Sequence, residues 1–165
     1  MLQPRDVEGL LGTMALMASV ERLVAEFYRT CAETWKEDSP FWSALVKEEE
    51  KHAENIEQMI QIVRQKPERF EIGRPFNKMA LQTIMKGLEG HLQDLKAGRL
   101  TRERVMILAR DIESSLMEKS YGEIVKTNDL EYLELLKTIV KDTAMHKRTI
   151  EEKCLAMGGA QCPLR

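Results

Sequence analysis

The chain has 165 residues, 43% of them hydrophobic and 32% charged, with a formal net charge of −2. That length suits one domain over residues 1–165 with a core of real size, and the composition excludes a disordered chain. The charge balance gives no basic surface for nucleic acid, and the uncharged stretch Leu10 to Val20 is too short to cross a membrane. Asp6 and Glu8 stand ahead of that stretch where a secretory signal carries positive charge. A cytoplasmic protein with neither nucleic-acid nor membrane partners is therefore expected. Cys31, Cys154 and Cys162 form no CxxC pair and read as reduced thiols.

The first helix is expected near 5–35, because Leu10, Met14, Met17, Glu21, Val24, Tyr28, Cys31 and Trp35 recur at spacings of three and four. Ser39-Pro40 has the form of a helix start, serine as cap and proline in the first turn. The helix that follows, near 40–65, carries Trp42, Leu45, Glu49, His52, Ile56, Met59 and Val63 on one side. Pro67 and Pro75 bracket an irregular segment before a third helix near 76–97, whose stripe is Leu81, Met85, Leu88, Leu92 and Leu95. Gly98 ends that helix and Thr101 caps the next, near 101–126, with Met106, Ala109, Glu113 and Leu116 inward. Asn128 with Glu131 has capping-box spacing ahead of a last helix near 129–156, which presents Tyr132, Leu136, Ile139, Thr143, His146 and Ile150. No segment shows sustained period-two alternation. Short connections make the first two and the last two helices antiparallel hairpins. The expected fold is all-α: a four-helix bundle with an additional helix in the long crossover.

Every main stripe is broken near its middle, by Glu21, by Glu49-x-x-His52, by Glu113 and by Thr143-x-x-His146. Removing a carboxylate from water costs several kcal/mol unless a partner compensates, and three aimed at one another raise each other's pKa. No lysine or arginine lies in the stripes, so a cation is the simplest neutraliser. The two halves also repeat: Glu21 to Glu49 spans 28 residues and Glu113 to Thr143 spans 30, with a histidine three further on in each. The metal ligands expected are Glu21, Glu49, His52, Glu113 and His146, a donor set that suits iron or manganese.

Glu21 with Tyr28 in "ERLVAEFY", "EEEKH", "ARDIESSLMEKSY" and "KDTAMH" together resemble the rubrerythrin-like branch of the ferritin-like di-iron carboxylate superfamily. The resemblance implies a ferritin-like bundle, two non-haem irons, and an oxidoreductase that reduces peroxide or reacts with oxygen, often in oxidative-stress defence. It also implies a homodimer. The chain departs from the pattern twice. It has no CxxC-plus-CxxC module, so electrons must come from an external donor protein. Thr143 stands where a bridging glutamate is expected, which weakens the second metal and leaves one site fuller than the other. Asp142 is the candidate substitute, rotated by about 100° on an ideal helix. Manganese or zinc are alternatives to iron. A metal-poor ferritin-like scaffold or sensor, acting through protein interaction, is the alternative function. Tyr28 is either a partner of a ligand carboxylate or plain core, His91 reads as surface, and the ten methionines fill core.

Overall fold

The computed structural model describes residues 4–74, 78–118 and 121–157. Among them five helices form where the apolar stripes run: α1 (Pro4–Thr34), α2 (Ser39–Gln65), α3 (Lys78–Lys96), α4 (Arg102–Glu118) and α5 (Leu130–Ala156). The stripe residues of α1 from Leu10 to Cys31 and of α2 from Trp42 to Val63 are buried. Leu81, Leu88 and Leu95 of α3 join the same core, with Met85 and Leu92 half-buried against it. The residue expected to start α3, 76, and the side chain of Leu116 lie outside what is described.

Three expectations about local structure are corrected. The fourth helix stops at Glu118 rather than 126; beyond it come a 3-10 turn at Tyr121–Glu123 and a strand. That strand, β2 (Val125–Thr127), pairs antiparallel with β1 (Phe70–Ile72) after α2. Each strand is three residues long, too short for alternation to be read along the sequence. Gly73 continues the pairing, its N–H donating to Ile124 O at 2.9 Å, and a Cβ there would lie 2.1 Å from Glu123 O. Only glycine permits that approach. The caps differ too: Asp38 rather than Ser39 precedes α2, and Asp129 rather than Asn128 caps α5, accepting from Tyr132 N–H at 3.2 Å. The expected end of α3 is observed, Gly98 taking φ 69° while Arg99 N–H returns to Asp94 O, and Thr101 Oγ1 accepts from Arg104 N–H.

Side-chain pairs give the helix directions. Arg29 reaches Glu50 and Arg22 reaches Glu57, so α1 and α2 are antiparallel. Asp38 meets Lys153 at 2.8 Å while Lys66 meets Asp129 at 3.3 Å, so α2 and α5 are antiparallel. Arg102 at the start of α4 shares Asp38 with Lys153 near the end of α5, so those two are antiparallel as well. Tyr28 of α1 reaches Glu113 of α4, bringing these helices together across the interior. Lys96 pairs with Glu26 and Lys78 lies against Gly12, which sets α3 parallel along the outside of α1.

The two ends of the helix group are clamped alike. Asp38, 1% exposed, takes a two-point contact from Arg102 (2.5 and 2.8 Å) and the Lys153 ammonium. Asp129, 2% exposed, caps α5 while Lys66 and Arg69 reach its other oxygen. Arg102 above all holds the Asp38 carboxyl below the usual range, against a burial that would raise it. No helix is long and apolar enough to cross a membrane among the described residues.

Candidate metal centre

Glu21, Glu49, His52, Glu113 and His146 come from four different helices, and each is at most 4% exposed. The helical period explains how: each occupies a position of its stripe that would otherwise be apolar. Glu49 is the hub. Its Oε2 lies 3.3 Å from His52 Nδ1, and its Oε1 lies 2.8 Å from His146 Nδ1. The second contact is short but not aligned as a hydrogen bond, and both of its atoms are left without a partner. The two imidazoles stack with centroids 5.3 Å apart and planes at 25°. One donor atom from each of Glu49, His52 and His146 falls within 4.8 Å of the others, an arrangement that could hold a metal ion.

Glu21 and Glu113 stand outside that group, although His146 Nδ1 lies 3.9 Å from Glu113 Oε2. Each is oriented by a tyrosine. Tyr28 donates to Glu113 Oε1 at 2.6 Å, and Tyr121 donates to Glu21 Oε1 at 2.6 Å. Tyr28 was a candidate partner for a ligand carboxylate from sequence, and the carboxylate it serves is on another helix. Tyr121 closes the motif "ARDIESSLMEKSY", but the sequence assigns it no role: it follows α4 in an irregular turn and meets Glu21 across 100 residues of chain.

The electrostatics of the three carboxylates divide. Burial would raise Glu49, but the imidazoles of His146 and His52 outweigh it and hold the carboxyl at about 2. Burial pushes Glu21 well above the carboxylate range, and the charge of Glu49 adds to it; Tyr121 opposes. Glu113 is raised for the same two reasons, with Tyr28 opposing. Both tyrosines are themselves pushed up, first by burial and then by the carboxylates they face. The partners of these acids are thus hydroxyls, imidazoles and one another. No lysine or arginine reaches them among the described residues.

Thr143 sits at the expected depth, 5% exposed, but its hydroxyl donates back to Ile139 O at 2.9 Å and brings no charge to the centre. Asp142 is placed elsewhere: its Oδ2 lies 3.6 Å from Nε2 of His52, the ring atom on the far side from Glu49. Cys31 and Cys154 are buried and not disulfide-bonded, and burial pushes the Cys31 thiol up; Cys162 lies outside the described residues. His91 is half-buried on α3 rather than fully on the surface. No protein-family model, curated protein or solved structure matches this chain.

Proposed function

We propose that the chain is a ferritin-like four-helix bundle of the rubrerythrin type, that it binds non-haem iron, and that it is an oxidoreductase consuming peroxide or oxygen. The observation that carries this reading is the unanswered chemistry of the core. Five buried donor atoms lack any hydrogen-bond partner: Glu21 Oε2, Glu49 Oε1, His52 Nε2, Glu113 Oε2 and His146 Nδ1. Buried polar groups are nearly always paired, and oxygen and imidazole donors in this mixture suit iron, manganese or zinc. The helix directions support the bundle, since α1 and α5 run one way and α2 and α4 the other; two successive helices of like direction require the long crossover that α3 occupies.

Glu49, His52 and His146 would hold the metal, with Glu21 and Glu113 completing the donor set. A redox metal there supplies the electrons that reduce an O–O bond. The residues do the rest. Tyr121 and Tyr28 hold Glu21 and Glu113 in place and keep a proton within 2.6 Å of each. Met17, Val24, Leu45 and Ile56, a turn away on the same stripes and at most 5% exposed, keep water out. Without a cation, protons on Glu21 and Glu113 offset the crowding of charge, and a metal displaces them. Three carboxylates balance one divalent ion more than fully and two less than fully, so the first metal binds far more tightly than the second. Electrons would come from a separate donor protein.

Protein purified without added metal should contain about one iron per chain, and Glu49→Leu should contain none. The wild-type protein, and not Glu49→Leu, should also consume peroxide when reduced. Wild-type protein with no bound metal after reconstitution under argon would overturn the reading. It would favour a metal-poor scaffold, for which the argument is Thr143, a hydroxyl bonded to its own helix where the pattern calls for a charge.

A further inference from the structure

A phenol and an indole, both rings that give up an electron readily, stand in line between the candidate metal centre and the surface. Tyr28 of α1 donates a hydrogen bond to Glu113 Oε1 at 2.6 Å. Its ring stacks on Trp42 of α2, with centroids 5.4 Å apart and planes at 30°. Trp42 in turn meets Phe41 edge-on, with centroids 4.9 Å apart and planes at 76°. Tyr28 and Trp42 are fully buried, whereas Phe41 is half-buried and has the Lys153 ammonium 5.6 Å from its ring centre. The contacts therefore run unbroken from a core carboxylate to the solvent edge, at the end of the helix group where Lys153 meets Asp38.

Packing alone does not explain this choice of rings. A buried tryptophan usually gives its N–H to an acceptor, yet Trp42 Nε1 has none. Phenylalanine would fill the core there without leaving a donor unmet. Among the described residues, the stacking of Tyr28 on Trp42 is also the one ring contact that joins a phenol to an indole; Tyr132 meets Phe70 instead. The missing acceptor suits electron transfer. An indole with no base at its nitrogen keeps its proton when it loses an electron, so the charge moves alone. A phenol does need a base, and Tyr28 has one in Glu113.

We propose that Tyr28 and Trp42 form a one-electron relay that carries electrons from the surface at Phe41 to the metal centre. The relay rests on the metal-dependent reading above, with peroxide as the oxidant. In each pass Tyr28 gives up one electron toward the centre, and its phenolic proton crosses to Glu113 Oε1, which is ionised when a metal is bound. Trp42 then supplies one electron to the Tyr28 ring, and the proton returns to the phenolic oxygen. Trp42 retains its N–H proton as a radical cation until a one-electron reductant in solution refills it past Phe41. Phe41 is only the cover that is crossed, because a benzene ring holds its electrons too tightly to be a station. Two passes provide the two electrons that, with two protons from water, cleave the O–O bond of hydrogen peroxide to two waters. Along α2, Trp42 stands seven residues from Glu49, about 10 Å, and Tyr28 bridges that gap.

The test uses Trp35→Phe protein, in which Trp42 is the sole tryptophan of the full chain. Loaded with iron, reduced, and mixed with excess peroxide, it should give a protein radical in freeze-quench electron paramagnetic resonance. Ring-deuterated tryptophan should narrow that signal, which assigns it to Trp42 with no substitution at that position. Adding Trp42→Phe should leave a radical that narrows with ring-deuterated tyrosine instead. Adding Tyr28→Phe should lose the indole signal although Trp42 is intact. Turnover of peroxide with ascorbate as the donor should slow in Trp42→Phe, with iron content and circular dichroism unchanged. In metal-free protein a photo-oxidised ruthenium polypyridyl complex in solution should generate the Trp42 radical, since the relay opens to the surface. Protein that binds iron and consumes peroxide but forms no indole radical, or keeps it in Tyr28→Phe, overturns the relay alone. So does a Trp42 that the ruthenium complex leaves unoxidised. Protein that binds no iron overturns the underlying reading together with the relay.

Discussion

Replacing Glu49 by leucine separates the metal centre from the fold that carries it. The Glu49 carboxylate faces Nδ1 of both histidines, at 3.3 and 2.8 Å, and is 1% exposed. In the metal-free protein the substitution has opposed effects. His52 loses an acceptor, which costs about 1–3 kcal/mol. Leucine buries apolar surface worth about 1.5–3 kcal/mol, and the charge that pushes Glu21 and Glu113 up is gone. The metal-free variant should therefore melt within a few degrees of wild type. With metal the two diverge. A ligand at a hundred times its Kd stabilises the native state by about 2.7 kcal/mol. For a chain of this size, at about 2–4 °C per kcal/mol, that raises Tm by about 5–11 °C. Melting followed by circular dichroism, with chelator and then with ferrous iron under argon, should show that rise in wild type and none in Glu49→Leu. Asp38→Asn, distant from the centre, should lower both curves and keep the rise. A wild-type curve that iron, manganese and zinc all leave unmoved would refute the metal centre; a full rise in Glu49→Leu would refute Glu49 as its hub.

Tyr121→Phe removes the 2.6 Å donor to Glu21; with Glu21 protonated the metal-free protein should lose about 0.5–1.5 kcal/mol, and urea titrations with and without metal should show a larger loss in the bound form, where the hydroxyl faces an ionised carboxylate. Asp38→Asn breaks a buried pair, worth about 3–5 kcal/mol if fully enclosed, but Arg102 and Lys153 are each 31% exposed, so about 1–3 kcal/mol is expected after screening. Because the folded pKa of Asp38 is lowered, its contribution is full above the unfolded value of about 3.9 and disappears as pH falls through the lower folded value. Stabilities of wild type and Asp38→Asn should therefore differ at pH 7 and converge in acid, and a constant difference would contradict the pairing. Gly73→Ala drives a Cβ onto Glu123 O; hydrogen exchange at Gly73 and Arg74 should accelerate, with about 1–3 kcal/mol lost, and unchanged protection would refute the close approach.

The sequence by itself determined the five helices and the depth at which Glu21, Glu49, His52, Glu113 and His146 interrupt their stripes. Helical periodicity is a local property, carried by residues three and four apart, and burial of a stripe follows from its composition. Tertiary structure decided what those residues touch. Glu49 becomes the hub because α2 and α5 run antiparallel and set His146 beside it. Tyr28 serves Glu113 across 85 residues of chain, and Tyr121 serves Glu21 across 100. Three-residue strands and an irregular turn leave no period to read, so β1, β2 and the site of Tyr121 emerge only when the segments after α2 and α4 meet. Along the chain Asp38 and Asp129 only stand beside Ser39 and Asn128, the residues expected to cap α2 and α5. Their burial against cations from other segments exists only where helix ends converge, because an ion pair between remote residues is a consequence of packing and leaves no pattern in the order of the residues.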